Sequence, residues 1–314
     1  MPPACLTSIR GLPSSEIRGF LLLAERIQKT PGEYSGVLQG KTILQFFVEN
    51  STRTRLSFET AVRRLGGTNL SFSSSGSSVE KGETLLDTVQ VISQYGVHGI
   101  VMRHRSSRSP ELVARVTGLP VINAGDGGHE HPTQALLDAF TLAESWGSDL
   151  RLEKPFAGKS VMILGDTLHS RVTRSNIHLL TTLGAEVILC GPSTLSISDF
   201  GLFPEVRHET FPEAELPKVD AVIALRIQLE RQSKGAIPSL QEYRHFWGLT
   251  GERAALLKPG AWILHPGPMN RGVEIDVEVA DSERSKVLRQ VENGVSVRMA
   301  VLVSLIGDGK GKVR

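Results

Sequence analysis

The sequence predicts an α/β protein of two doubly wound domains, each a parallel sheet flanked by helices. Three observations predict it. Short apolar, β-prone runs alternate with amphipathic helical stretches, the pattern of parallel strands joined by crossover helices. The series runs from about residue 41 to 147 and starts again near 159, in a chain of 314 residues, a length that favours two cores over one. Polar stretches rich in Arg and His follow nearly every strand, and in parallel sheets ligands bind beyond the carboxyl ends of strands.

The elements follow in order. "KTILQFFV" (41–48) reads as a buried strand. After it, Phe58, Ala61, Val62 and Leu65 fall at i, i+3, i+4 and i+7, a helix that Gly66-Gly67 ends. "SFSSSGSSVEKGE" (71–83) is Ser/Gly-rich and reads as a mobile loop. "GVHGIVMR" (96–103) and "LPVINAG" (119–125) read as strands. "HPTQALLDAFTLAESWG" (131–147) reads as a long helix, with Pro132 tolerated in its first turn. The second series has strands at "KSVMILGD" (159–166), "AEVILCGP" (185–192), "VDAVIAL" (219–225) and "AWILHP" (261–266), and a helix at "SRVTRSNIHLLTTLG" (170–184). The expected junction lies near the 131–147 helix, dividing 1–140 from 141–290.

Composition narrows the function classes. Hydrophobic residues make up 40% and charged residues 22%, ordinary values for a soluble globular protein. A net charge of +2 offers no argument for nucleic acid or membrane partners. No apolar run approaches the roughly 18 residues of a spanning helix. The start "MPPACLTSIRGLPSS" lacks the charged-then-apolar pattern of a secretory signal. Cys5 and Cys190 are the two cysteines, which suggests no disulfide framework and fits a reducing cytoplasm.

The candidate chemistry sits after the strands. "STRTR" (51–55) begins a helix, where free backbone N–H groups and the helix dipole make an anion site. Ser51, Thr52 and Thr54 add hydroxyls. Residues two apart on a helix point about 200° apart, so Arg53 and Arg55 do not share one ligand. Arg53 is the candidate for the anion, and Arg55 for an internal or intersubunit ion pair. The alternative is a capped helix with solvated arginines. In "HEHPTQ" (129–134), His129 and His131 would need further ligands to hold a metal, and His265 and Asp276 are unremarkable, so no metal site is expected. His131 is instead a candidate donor to a carbonyl oxygen, with Gln134 one turn later, or a histidine that only caps.

"ILGDTLHSRVTRSN" (163–176) has a strand–turn–helix shape without G-x-G-x-x-G, which argues against a dinucleotide. Arg171, near the helix start, suits bidentate binding of a carboxylate or is a surface arginine. In "ALRIQLER" (224–231), Arg226 and Gln228 share a face if the strand geometry continues, and Arg226 is the second carboxylate candidate. "HPGPMNRG" (265–272) is a rigid turn that can bring backbone carbonyls to a ligand, or simply a turn.

Taken together, these stretches resemble the aspartate/ornithine carbamoyltransferase family, over nearly the whole chain and in the family's order. "STRTR" with "HPTQ" marks the wider group, and "RIQLER" and "HPGP" resemble its aspartate-specific members. Ornithine-specific members usually carry "HPCQ", Asp-x-x-Ser-Met and "HCLP". Charge agrees: aspartate needs cations for two carboxylates, whereas ornithine's ammonium needs an anion. The resemblance implies a carbamoyl phosphate domain (1–140), an aspartate domain (141–290) and a C-terminal helix within 291–314 that packs back on the first. It implies homotrimers with shared active sites, and no cofactor or metal.

It also implies roles. Ser51, Thr52, Arg53 and Thr54 hold the phosphate. Thr54, Arg103 and His131 polarise the carbonyl, and Gln134 holds the carbamoyl NH2. Arg171 and Arg226 clamp aspartate, with Gln228 assisting, and backbone at Pro266 and Gly267 accepts from nitrogen. Ser77 and Lys81 reach the neighbouring subunit's site. Glu49 pairs on domain closure with Arg171 and Arg231. Position 267 is Gly where some members have Leu, and "SSVE" precedes Lys81 in place of a fixed pattern. The implied reaction is carbamoyl phosphate plus L-aspartate to N-carbamoyl-L-aspartate and phosphate, an early step of pyrimidine synthesis. Some relatives bind regulatory chains or dihydroorotase-like subunits, and the sequence does not decide among such partners.

Overall fold

In the computed structural model, which describes residues 4–73, 83–197, 201, 203–227 and 239–307, the alternation of strands and helices builds two parallel sheets. The chain divides into two units, Met1–Leu136 with Asn293–Arg314, and Leu137–Glu292. The chain crosses between them inside two long helices, first after Leu136, a few residues before the boundary expected from sequence, and again after Glu292.

The first unit begins with α1 (Ser14–Lys29), whose Ile17, Phe20, Leu21, Ala24 and Ile27 form one buried stripe. Then come β1 (Thr42–Phe47), α2 (Thr52–Arg64), β2 (Thr68–Ser73), α3 (Leu85–Ser93), β3 (Gly99–His104), α4 (Ser109–Thr117), β4 (Val121–Asp126) and α5 (Pro132–Trp146). The sheet order is β2-β1-β3-β4, every pair parallel. Ile43, Leu44, Phe46 and Phe47 of β1 are buried, as a strand inside a parallel sheet requires. Gln45 is buried too, and its amide donates to Asn69 Oδ1 at 2.8 Å.

Residues 71–73 correct one expectation: they close β2 rather than open a loop. The run "TNLSFS" alternates, and Leu70 and Phe72 pack on the core while the Phe72 ring stacks on Phe46 at 4.5 Å. Helix α2 ends as its glycines predict. Gly66 takes φ +79, and a Cβ there would lie 2.7 Å from the Ser35 carbonyl oxygen.

The second unit holds the rest of α5, β5 (Ser160–Leu164), α6 (Arg171–Thr182), β6 (Glu186–Cys190), β7 (Arg207–Glu209), β8 (Ala221–Ala224), α7 (Leu240–Trp247), α8 (Gly251–Leu256), β9 (Trp262–Leu264), α9 (Val277–Ala280) and the first residues of α10 (Val287–Ile306). Its sheet runs β7-β6-β5-β8-β9, again wholly parallel. Met162, Leu164, Ile188, Val222, Ile263 and Ile275 build one core cluster. The unit also buries a polar chain. Asn176 donates to Asp138 Oδ2 at 2.9 Å, Gln290 donates to Asp138 Oδ1 at 2.7 Å, and the His265 N–H donates to Gln290 Oε1 at 2.9 Å.

Helix α10 starts at Val287, earlier than the 291–314 segment expected from the resemblance, because no breaker interrupts "VLRQVEN". Its later residues belong to the first unit. Arg298 donates to Ser57 Oγ at 2.8 Å with its guanidinium over Phe58, and Gln28 donates to Asn293 at 2.8 Å.

Two glycines give a paired stability prediction. A Cβ on Gly191 would sit 2.3 Å from the Gly165 carbonyl oxygen, where the ends of β5 and β6 meet. Gly19 lies inside α1 with nothing within 4 Å of its Cβ position. Gly191→Ala is expected to lower unfolding free energy by about 1–3 kcal/mol. Gly19→Ala is expected to raise it by about 0.5–1 kcal/mol. Urea denaturation of the two variants checks both signs.

Candidate active site

In each sheet the chain reverses its winding direction once. In the first, β1 feeds β2 on one side and the chain then returns to β3 on the other. In the second, the same happens between β5 and β8. Such switch points leave a crevice beyond the carboxyl strand ends, where ligands bind. Ser51–Arg55 follow β1 and Arg103 is the last residue but one of β3, so the first reversal carries the candidate anion residues. Asp166–Arg171 follow β5 and Arg226 follows β8, so the second carries the candidate carboxylate clamps.

At the first reversal, Ser51 is the N-cap of α2 with extended backbone (φ −160°, ψ 97°), and its side chain makes no cap bond to the helix. Thr52 and Arg53 are exposed, while Thr54 is buried on the helix's inner face with Phe58, Ala61 and Val62. Arg55 faces elsewhere and pairs with Glu59 at 3.7 Å, one turn on. Arg55 thus makes an internal ion pair, one of the two kinds expected for it from sequence. Arg103 donates to Glu49 Oε1 at 2.7 Å and to the Ala124 carbonyl at 3.4 Å. Glu49 thus has a partner in its own unit.

His131 and Gln134 are both buried at the start of α5. The turn before them is organised by Asp126, itself fully buried. Its carboxylate accepts the Arg108 N–H at 2.6 Å, the Asn123 amide at 2.7 Å and the Glu130 N–H at 3.1 Å. His129 Nδ1 lies 3.0 Å from the same carboxylate. Glu130 in turn accepts the Ile9 N–H at 2.7 Å, the Arg10 N–H at 3.3 Å and the Ser8 hydroxyl. His129 is therefore a structural histidine, and His131 is the one carried onto the helix.

In the second unit, Asp166 accepts the His169 N–H at 3.0 Å and faces its Nδ1 at 3.0 Å. Ser170 caps α6 by accepting the Thr173 N–H at 3.3 Å, and Arg171, the first residue of the helix, is buried. Arg226 lies two residues past β8 and is half-buried. The "HPGP" turn follows β9. There Gly267 takes φ +63, which glycine tolerates without steric cost, and the Gly267–Pro268 bond is cis. Among the described residues no group of three or more His, Cys, Asp or Glu is placed to hold a metal, and no helix is long and apolar enough to cross a membrane.

A family model described as the aspartate/ornithine carbamoyltransferase carbamoyl-P binding domain matches residues 5–144, and the corresponding Asp/Orn binding domain matches residues 157–305. The chain belongs to the aspartate/ornithine carbamoyltransferase family. It is 49% identical over 298 residues to the aspartate carbamoyltransferase catalytic subunit of Myxococcus xanthus, covering 95% of this chain and 97% of that one. It is 49% identical over 317 residues to the corresponding subunit of Clavibacter michiganensis, covering 97% and 98%. Among solved structures it is similar to the aspartate transcarbamoylase of Trypanosoma cruzi in complex with carbamoyl phosphate and aspartate, with TM-score 0.87, 30% identity and 97% of each chain covered. The ornithine carbamoyltransferase of Thermus thermophilus gives TM-score 0.84 at 26% identity, covering 98% and 100%.

Of the family-type residues, Ser77, Lys81, Gln228 and Arg231 lie outside the described residues. The others fall at the two reversals, at the start of α5 and in the turn after β9. Sequence reasoning missed the carboxylates that hold the adjoining turns: Asp126, Glu130, Asp166 and Glu274, the last a buried acceptor of the Asn270 N–H that faces His265. "GDGGHE" (125–130) carried a usable signal, since Asp before two glycines favours a turn closed by its own carboxylate. Glu274 carried none, because its partners are recruited by the fold.

His129 yields a pH prediction. Its bond to Asp126 holds the imidazole pKa above the ordinary value, burial opposing. A folded-state pKa raised above the unfolded one means that the protonated ring stabilises the fold. The contribution is whole below the unfolded imidazole's value, about 6.5, and is lost as pH rises through the folded value. Unfolding free energy measured from pH 6 to 8 should show this decline, and His129→Asn should remove it.

Proposed function

We propose that this chain is an aspartate carbamoyltransferase, joining carbamoyl phosphate and L-aspartate into N-carbamoyl-L-aspartate and phosphate. The observation that carries the reading is the pair of guanidinium side chains, Arg171 and Arg226, at the winding reversal of the unit matched by the Asp/Orn binding domain. Two cations suit a substrate with two carboxylates and oppose ornithine's ammonium. Relatives with the aspartate name at 49% identity support the same choice.

In this reading the α2 N-terminus, with Ser51, Thr52, Arg53 and Thr54, takes the phosphate group. The aspartate amine attacks the carbonyl carbon; a C–N bond forms, the C–O bond to phosphate breaks, and the leaving phosphate takes up the amine proton. Negative charge grows on the carbonyl oxygen, where Thr54, Arg103 and His131 donate. His131 acts as a neutral donor, not a general base. Gln134 accepts from the carbamoyl NH2, and the carbonyls at Pro266 and Gly267 accept from the reacting nitrogens. Alignment of two substrates alone supplies on the order of 7–11 kcal/mol, so the reaction needs no covalent intermediate.

The assembly proposed is a homotrimer in which Ser77 and Lys81 complete a neighbour's site, and Lys81 and Gln228 assist with aspartate. On closure Glu49 would turn from Arg103 to Arg171 and Arg231.

Calorimetric titration with a phosphonate–aspartate bisubstrate analogue tests the two-substrate site, and absence of tight binding would overturn it. In steady-state assays aspartate should far outperform ornithine. His131→Ala should lower kcat by about 10²–10³, the usual cost of one oxyanion donor. Mixing inactive Lys81→Ala chains with inactive Arg53→Ala chains should restore part of the activity. No recovery despite proven subunit exchange would count against shared sites.

A further inference from the structure

The second unit buries a carboxylate that the proposed reaction does not use. Glu274 and His265 have side chains 1% and 0% exposed, with His265 Nε2 3.1 Å from Glu274 Oε1. The same oxygen accepts the Asn270 N–H at 2.5 Å. The other ring nitrogen, His265 Nδ1, accepts the Gly267 N–H at 2.7 Å. An accepting Nδ1 leaves the proton on Nε2, where a carboxylate, an acceptor only, receives it. In the opposite tautomer, Nδ1–H and the Gly267 N–H would point at one another and Nε2 would turn a lone pair on Glu274. The hydrogen-bond network therefore assigns the tautomer, which the Gly267 N–H and Glu274 select together.

The tautomer has a consequence one peptide away. The Pro266–Gly267 bond is trans, since the described cis bond is Gly267–Pro268. In a trans peptide the N–H and the C=O point to opposite sides. With the Gly267 N–H turned onto the buried ring, the Pro266 carbonyl is turned away from it. Pro266 lies two residues past β9, which pairs with β8 in the register Ile223↔Leu264. The carbonyl thus leaves the same sheet end as Arg226. Asn270 fastens the turn to that neighbour, its amide donating to the Ile227 carbonyl at 3.3 Å.

We infer that Glu274 is a positioning residue: through His265 it fixes the Pro266–Gly267 peptide so that the Pro266 carbonyl is presented to the reacting nitrogen. This rests on the function proposed above, and it adds a residue outside the substrate-contacting set. A glutamine side chain in place of the glutamate would keep an accepting oxygen for both donors, whereas alanine removes it and frees the ring to change tautomer.

The test compares Glu274→Ala, Glu274→Gln and Glu274→Asp, each in wild-type and His265→Ala backgrounds. Readouts are kcat, the KM of each substrate, inorganic phosphate affinity by calorimetry, thermal unfolding, and the imidazole tautomer of His265 by nitrogen NMR. Glu274→Ala should lower kcat by about tenfold or more, toward the ~10² that a misplacement near 1 Å costs. Phosphate affinity should stay unchanged, because those ligands lie in the first unit. Glu274→Gln should restore most of kcat and keep the Nε2–H tautomer, and Glu274→Ala should add little to His265→Ala. Unchanged kcat in folded Glu274→Ala, a retained tautomer, or additive losses with His265→Ala would each overturn the inference and leave only a stabilising role. If the alanine variant does not fold, Glu274→Asp, which shortens the arm by one methylene, is judged by the same criteria. A wild-type chain inactive on both substrates sinks the proposed function and this inference with it. An active wild type with an unaffected Glu274→Ala sinks this inference alone.

Discussion

Everything at the candidate site depends on where two parallel sheets reverse their winding. A parallel strand pair needs a crossover, and crossovers of one hand keep helices on one face until the chain returns to the centre. At that return two neighbouring strand ends lose the connection that would cover them. Here the returns lie between β1 and β3 and between β5 and β8. Arg53, Thr54 and Arg103 occupy the first, and Arg171 and Arg226 the second. Neither crevice needs a special backbone fold, because the topology itself leaves room for a ligand.

What the topology leaves open, buried carboxylates then shape. Asp126, Asp166 and Glu274 each sit in the interior, each accepts a backbone N–H a few residues away, and each faces a histidine: His129, His169 and His265. A carboxylate offers only acceptors, so it gathers the N–H groups that a tight turn leaves without helix or sheet partners. The histidine supplies a further donor from the same short segment. Three connections after strands are thereby held with little regular structure; His131 and Arg171 follow directly from the first two, and Pro266 lies within the third.

The two-sheet plan and most strand-end residues were legible in the sequence, because apolar runs and the polar stretches after them are local patterns. Arg55's separate role was also legible, since it follows from helix geometry alone. Strand β2 was not: its Leu70 and Phe72 alternate over only six residues and run straight into a Ser-rich stretch that dominates the composition. The early start of α10 was hidden by Leu288 and Val291, exposed apolar residues that blur the periodicity. Glu274 is illegible for a different reason. Its meaning lies in a ring nine positions earlier, joined to it by a turn whose shape no local propensity encodes.

The N-terminal segment illustrates how far such reach extends. Leu6 pairs with Ile122 beside β4, and Glu130 takes the N–H groups of Ile9 and Arg10 across 121 and 120 residues of chain. The carboxylate that receives them is the immediate neighbour of His131. The segment from Leu6 to Arg10 is therefore a splint for the start of the helix that carries His131 and Gln134. Loss of Ser8, Ile9 and Arg10 would strip three donors from the carboxylate next to His131.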